Sequence, residues 1–466
     1  MIPNIFVRFF LTLVAFSAVA LSAYAQEQPE PKRILFTNVN VFDGVNDSLQ
    51  MNTNVLVEDN LIASIGPSIA LPAGAELIDG GGRTLMPGLI DSHVHFYLSM
   101  DGARAGMETS RWDYFPAMGA AAAQEWFADG FTTVRDAGGM YDGLRRVIDA
   151  GLLDGPRMYL AGGMLSQSSG HGDMVPSGQS NPEHSNLVKL GITLIADGDD
   201  EVRKKVRQNF SSGANFTKIM IGGGVAGAKG PMWAAQFTDA EIIAAVEESA
   251  TRDMYVSAHI YRDDHIKRAL DLGVKGIEHG QYISEKTAKL LKEKGAFISP
   301  YVGSVVSDEI FNHPVFGNKS SFEYARTVEM KENAKNFVDV IKKVKPLVVF
   351  SSDIVSTNGL TARQARDFEK HVFAESFGNF ETLVAMTSAG GKVAAMTGRS
   401  NPYPNKLGVI EKGAYADILL VDGNPLEDIS VIGTNKEWFN AAPRERGIET
   451  IRLIMKDGKV YKNTLQ

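Results

Sequence analysis

The run Met86-Pro87-Gly88-Leu89-Ile90-Asp91-Ser92-His93-Val94-His95-Phe96 carries an apolar stretch into two histidines separated by one residue. In a strand that spacing sets both imidazoles on one face, because side chains alternate with period two. Two imidazoles aimed at one point suggest a metal, although a lone His-x-His also arises by chance. Further polar residues punctuate apolar runs downstream: Lys218 in Thr217-Lys218-Ile219-Met220, His259 after Ser257-Ala258, His279 after Ile277-Glu278, and Asp353 after Ser351-Ser352. The chain has no cysteine. Thiol nucleophiles, disulfides and thiolate ligands are therefore excluded, and any metal must be held by nitrogen and oxygen.

These residues fall at regular places in an alternation of strands and helices. Strands are expected at the opening run, Phe131–Asp136, Arg157–Ala161, Phe216–Ile221, Tyr255–Ile260, Val274–Glu278, Phe297–Tyr301 and Leu347–Ser352, with helical patterns between them. Eight such units are the pattern of a (β/α)8 TIM barrel, an α/β fold whose chemistry sits at the carboxyl ends of the strands. Placed on that barrel, His93 and His95 end the first strand, Lys218 lies in the fourth, and His259, His279 and Asp353 end the fifth, sixth and eighth. A glycine- and serine-rich stretch from Gly162 to about Pro182 reads as a long loop available to substrate.

Both ends of the chain have a different texture. Residues 32–86 and 400–466 alternate short apolar runs with turn signals, and neither piece alone offers enough strands to bury a core. The two are expected to build one small β-sandwich domain around the barrel of residues 87–399. Residues 1–25 read as an export signal: Arg8, an apolar run from Phe9 to Ala23, and the small-x-small site Ala23-Tyr24-Ala25 before Gln26. The mature chain is then expected in a periplasm or outside the cell. A net charge of -8 without a Lys/Arg-rich block points away from nucleic acid, and no later segment is apolar enough to span a membrane. Small molecules are the expected partners, with a homo-oligomer possible.

Taken together, Pro87-Gly88-Leu89-Ile90-Asp91-Ser92-His93-Val94-His95, Lys218 before a glycine run, His259, Ile277-Glu278-His279-Gly280, Ser352-Asp353 and Gly413-Ala414-Tyr415-Ala416-Asp417-Ile418 resemble the amidohydrolase superfamily. Within it the chain is most similar to the imidazolonepropionase-related branch that includes Xaa-Pro and Xaa-Arg dipeptidases and ochratoxin-type amidases. The resemblance implies a binuclear site: His93, His95 and Asp353 on one ion, His259 and His279 on the other, and Lys218 bridging them as an N-carboxylated lysine. Imidazole and carboxylate-type oxygen suit Zn2+, with Mn2+ or Co2+ also compatible. Two such ions sharing a water lower its pKa from 15.7 toward ~7, which makes a nucleophile available at neutral pH. Asp353 is then the group that takes the proton of the attacking water and passes it to the leaving amine.

The implied substrate is a dipeptide or N-acyl amino acid. Tyr261, two residues past His259, resembles a tyrosine that approaches the substrate carbonyl in related dipeptidases, where a phenol can donate to the oxyanion. His171 in the long third loop, Gly223 in the glycine run after Lys218, and Arg262 and Arg363 as partners for a terminal carboxylate complete the candidates. Related sequences carry Gly-Thr-Asp-Ala where this chain has Ser351-Ser352-Asp353-Ile354. That departure leaves the ligands intact but separates the chain from the dipeptidase pattern. A cyclic amide or lactone hydrolase, and a small-molecule binding protein on the same scaffold, are the alternatives.

Overall fold

The computed structural model describes residues 30–98, 104–176, 178, 181–227, 229–355 and 359–465. The proposed export signal lies outside them. Among the described residues no helix is long and apolar enough to cross a membrane.

Five strands open the chain: β1 Arg33–Val41, β2 Gln50–Glu58, β3 Leu61–Gly66, β4 Glu76–Asp79 and β5 Thr84–Pro87. Ten follow in the middle: β6 Leu89–Val94, β7 Phe131–Asp136, β8 Arg157–Leu160, β9 Met164–Ser166, β10 Thr193–Ile195, β11 Thr217–Met220, β12 Val256–Ile260, β13 Gly276–His279, β14 Phe297–Ser299 and β15 Leu347–Val348. Three close it: β16 Ile418–Val421, β17 Ile451–Lys456 and β18 Lys459–Asn463.

The two ends of the chain share one eight-stranded sheet, ordered β18-β17-β16-β5-β1-β2-β3 with β4 beside β1. The join is the antiparallel pairing of β16 with β5, Leu419 opposite Met86. Its buried face is a separate cluster that includes Phe36, Val55, Leu85, Leu420 and Met455. Apolar residues drawn from both ends therefore make one core that neither end could bury alone.

The middle strands are parallel, in a seven-stranded sheet β10-β9-β11-β12-β13-β14-β15 and a three-stranded sheet β6-β7-β8. Backbone bonds run between their edges: Ser92 donates to the Phe350 carbonyl (2.9 Å), Asp353 to His93 (2.9 Å), and Asn215 to Leu160 (2.7 Å). Strands such as β12 and β13 are buried at every residue, as expected where both faces are covered. Helices between them start on ordinary signals. Thr238 and Glu241 form a capping box at the start of Asp239–Ala250, satisfying two of its orphan N–H groups.

The Gly162–Pro182 stretch is not one loop. Its first residues form β9, and β10 follows after two short helical turns, so the parallel sheet gains two strands that the residue pattern did not suggest. The longest helix among the described residues, Gly359–Phe377, falls where the residue pattern did not suggest an element.

Candidate active site

The strands bring the expected groups together. His93 is the fifth residue of β6 and His95 lies just beyond its end, while Lys218, His259 and His279 come from β11, β12 and β13. Register places His259 opposite Glu278, and Ile260 opposite His279. Strict alternation would send Glu278 and His279 to opposite faces. His279 instead has φ 73, and Asp353 has φ 45. Such values are uncommon for residues with a Cβ and gather where a site holds the backbone in place. With that turn, Glu278 and His279 both reach the neighbourhood of His93.

The two histidines of the opening motif are oriented from behind. His93 Nδ1 lies 2.9 Å from Glu278 Oε2, and His95 Nδ1 lies 2.9 Å from the Gly138 carbonyl. A hydrogen on each Nδ1 leaves both Nε2 atoms as lone pairs. Those atoms face each other at 3.1 Å, with Asp353 Oδ1 at 3.4 Å from His93 Nε2 and 3.6 Å from His95 Nε2. Two nitrogen lone pairs and a carboxylate converging on one point repel one another unless a cation sits among them, so this donor set fits a divalent ion. His93, His279 and Asp353 each offer a ligand atom within 4.8 Å of the others.

Burial holds His95, His259 and His279 neutral, each well below the ordinary imidazole pKa, with neighbouring His93, His171 or Lys218 adding to the effect. Neutral imidazole is the ligating form. Lys218 is almost wholly buried, its Nζ 3.5 Å from His93 Nε2. Burial pushes its ammonium down to about 8, against the pull of Glu278 and Asp353. A free amine is thus accessible near neutral pH, which is the form that captures carbon dioxide.

Glu278 is the support that sequence reading left unassigned. Its carboxylate is fully buried, accepts from the Ser257 hydroxyl and lies 2.7 Å from Arg135 Nη2. Arg135 donates to the Ser92 carbonyl and the Tyr255 hydroxyl, each at 2.8 Å, and its guanidinium lies 4.0 Å from the Phe216 ring centroid. Asp91 is a second support: it accepts from the backbone of His93 and Ser352, from the Ser352 hydroxyl and from Trp126 Nε1. Both acids stand in the quoted motifs, Asp91 two residues before His93 and Glu278 beside His279. Adjacency to a ligand was the available signal.

The remaining candidates divide. Tyr261 stacks on His279 (centroids 5.0 Å, interplanar 3°), and burial raises its phenol well above the usual range, so it stays a donor. His171 stacks on His259 at 4.0 Å and lines the same cavity. Gly223 contributes its carbonyl, 3.2 Å from His259 Nε2, rather than an N–H for a carboxylate. The neighbouring Gly224 and Gly227 carbonyls both accept from Arg326. Arg262 and Arg363 are not brought into the cavity. Arg262 is half-buried and paired with Asp264, while Arg363 lies against Glu125 and donates to the Arg444 carbonyl.

Known proteins resemble this chain in sequence and in fold. Ochratoxinase of Aspergillus niger is 29% identical over 429 residues, covering 88% of this chain and 83% of its own. A prolidase crystallised with N-methylphosphonate-L-proline superposes with a TM-score of 0.81 at 30% identity, covering 93% of this chain and all of the other. A Xaa-Pro dipeptidase with bound methionine gives 0.75 at 25%, with the same coverage. The amidohydrolase family model matches residues 84–461, and the chain belongs to that family.

Proposed function

We propose that this protein is a binuclear metal-dependent amidohydrolase that cleaves the amide of dipeptides or N-acyl amino acids. Family membership makes it a hydrolase of amide or peptide carbon–nitrogen bonds. One observation carries the metal assignment: the Nε2 atoms of His93 and His95 meet at 3.1 Å with Asp353 Oδ1 at 3.4 and 3.6 Å from them, while the Nδ1 atoms lie 2.9 Å from Glu278 and from the Gly138 carbonyl. His93, His95 and Asp353 would hold one ion and His259 and His279 the other, with carboxylated Lys218 between them; zinc is the expected metal. Two such cations would supply a water that ionises near neutral pH and a Lewis acid for the scissile carbonyl.

The chain's own groups do the rest. Asp353, with 23% of its side chain open to the cavity, takes the proton of the attacking water and returns it to the leaving nitrogen. The Tyr261 phenol donates to the oxygen that gains charge as the carbonyl becomes tetrahedral. His171, parallel to His259, borders the same space and touches the substrate. The strand edges joined through Ser92, Asp353 and Asn215 support closure of the parallel strands into one (β/α)8 barrel over about 87–399. Residues 32–86 with 400–466 then form the small β domain, and residues 1–25 a cleaved export signal that delivers the enzyme to a periplasm or the medium.

The test is Asp353→Asn, assayed with metal content. Turnover of dipeptides should fall by roughly 10²–10⁴-fold while circular dichroism is unchanged. Retained turnover in the folded variant removes the proton-transfer role. Fewer than one tightly held zinc in the reconstituted wild-type chain removes the site.

A further inference from the structure

Hydrolysis accounts for the floor of the cavity but not for its walls. The cavity has a volume of about 210 Å³. On one side stand Met107, Met164 and Met220, packed with Leu98 in a single buried cluster, with Met174 against it. Another wall is formed by Met330, which packs with Tyr261. None of these side chains can move a proton or hold a hard cation.

A further wall comes from far along the chain. Trp438 and Phe439 lie between β16 and β17, yet both line the cavity beside Phe316 and His313. Trp438 stacks on Phe368 (centroids 5.6 Å, interplanar 15°) and sits 4.6 Å from Phe439. The His313 ring is 4.8 Å from both Phe316 and Phe439. The C-terminal segment thus adds fixed aromatic surface to a cavity also lined by methionines, whose thioethers adapt in shape and contact ring edges favourably.

We propose that this cavity selects amides bearing a large apolar group, an aromatic side chain in first preference, and that Trp438 and Phe439 are its specificity-determining residues. The inference rests on the amidohydrolase reading of the same site. A benzyl group placed here leaves water for sulfur and ring surface, whereas a methyl group leaves most of the wall uncovered. A charged side chain gives up hydration against hydrocarbon.

The full chain, reconstituted with zinc and bicarbonate, is assayed on L-Ala-L-Ala, L-Ala-L-Phe and L-Phe-L-Ala. The better phenylalanine substrate should exceed Ala-Ala in kcat/KM by at least about tenfold, as one apolar pocket can achieve. Phe439→Ala and Trp438→Ala should each shrink that ratio by about fivefold or more, chiefly through KM. Binding of L-phenylalanine and L-alanine by calorimetry on the same samples gives a second readout, with phenylalanine at least about tenfold tighter and Phe439→Ala erasing the difference. Phe439 is partly exposed, so its variant keeps the test open if Trp438→Ala fails to fold. A wild-type ratio near one, or a ratio unchanged in folded Phe439→Ala, overturns the inference. Absence of turnover on all three dipeptides counts against the amidohydrolase reading; the calorimetry then decides the pocket by itself, and equal binding of the two amino acids overturns it.

Discussion

Glu278→Gln separates a residue that orients a ligand from one that only neutralises a neighbour. Glu278 is fully buried between Arg135 Nη2 at 2.7 Å and His93 Nδ1 at 2.9 Å. Burial works against its charge, but Arg135, then His93 and Lys218, outweigh it and hold the carboxyl well below the usual range. An amide of the same shape has one oxygen and one NH2. If the oxygen turns to His93, the NH2 faces the Arg135 guanidinium, donor against donor. If the NH2 turns to His93, Nδ1 must become the acceptor and the hydrogen moves to Nε2, the atom turned toward Asp353. Either arrangement leaves a buried polar group unpaired at about 1–3 kcal/mol, and the second removes a ligand outright. Zinc affinity, measured by chelator competition, should weaken by roughly 10–100-fold, the usual cost of losing an orienting carboxylate. Thermal unfolding in excess chelator measures the Arg135 contribution separately, since an uncompensated buried charge costs about 3–5 kcal/mol. Zinc affinity within about twofold of wild type, together with a lowered Tm, would show that Glu278 serves Arg135 alone and would refute the orienting role.

Tyr261→Phe should lower kcat by roughly 10–10³-fold with little change in KM, because its hydrogen bond strengthens only as charge develops on the carbonyl oxygen; a raised KM with kcat unchanged would make it a binding group. Glu369 accepts from the Val302 and Gly303 N–H groups behind the cavity, and burial pushes its carboxyl up to about 8. The folded state then keeps a proton that the unfolded chain loses near 4.5, so stability falls as pH rises from about 5 to 8, at no more than ~1.4 kcal/mol per unit. Urea unfolding of Glu369→Gln across that range should lack this component, and a wild-type minus variant difference that is flat with pH would remove it. Asp129 is held low by Arg366 and Arg444 in spite of its burial, so its contribution is present above the unfolded value near 3.8 and is lost as pH falls. Asp129→Asn should cost about 3–5 kcal/mol at pH 7 and about 1 kcal/mol less at pH 3, where the loss has only begun; equal cost at both would refute the charge argument.

The strands and the polar residues gathered at their ends were legible because a buried parallel strand is an unbroken apolar run, and a polar residue closing such a run stands out. His93, His95, His259, His279 and Asp353 all carry that mark. β9 and β10 did not, being three residues each, β9 within glycine- and serine-rich sequence. Gly359–Phe377 was hidden by its polar buried face: Arg366, Glu369 and Lys370 are buried there against partners remote in the chain. Arg262 read as a carboxylate partner only while its local acid Asp264 was ignored, whereas Arg363 lies against Glu125, remote in the chain. Neither the left-handed backbone at His279 and Asp353 nor the reach of Trp438 and Phe439 into the cavity has a local sequence signature, since both depend on long-range packing.

The most direct measurement is amine release by the chain reconstituted with Zn2+ and bicarbonate, across L,L-dipeptides and N-acyl amino acids, with Lys218→Ala as the control. Turnover that disappears with Lys218 is the predicted result. Silence of a wild-type chain holding two zinc ions, or turnover indifferent to Lys218→Ala, would contradict the binuclear amidase and direct the search to ring-opening and lactone substrates.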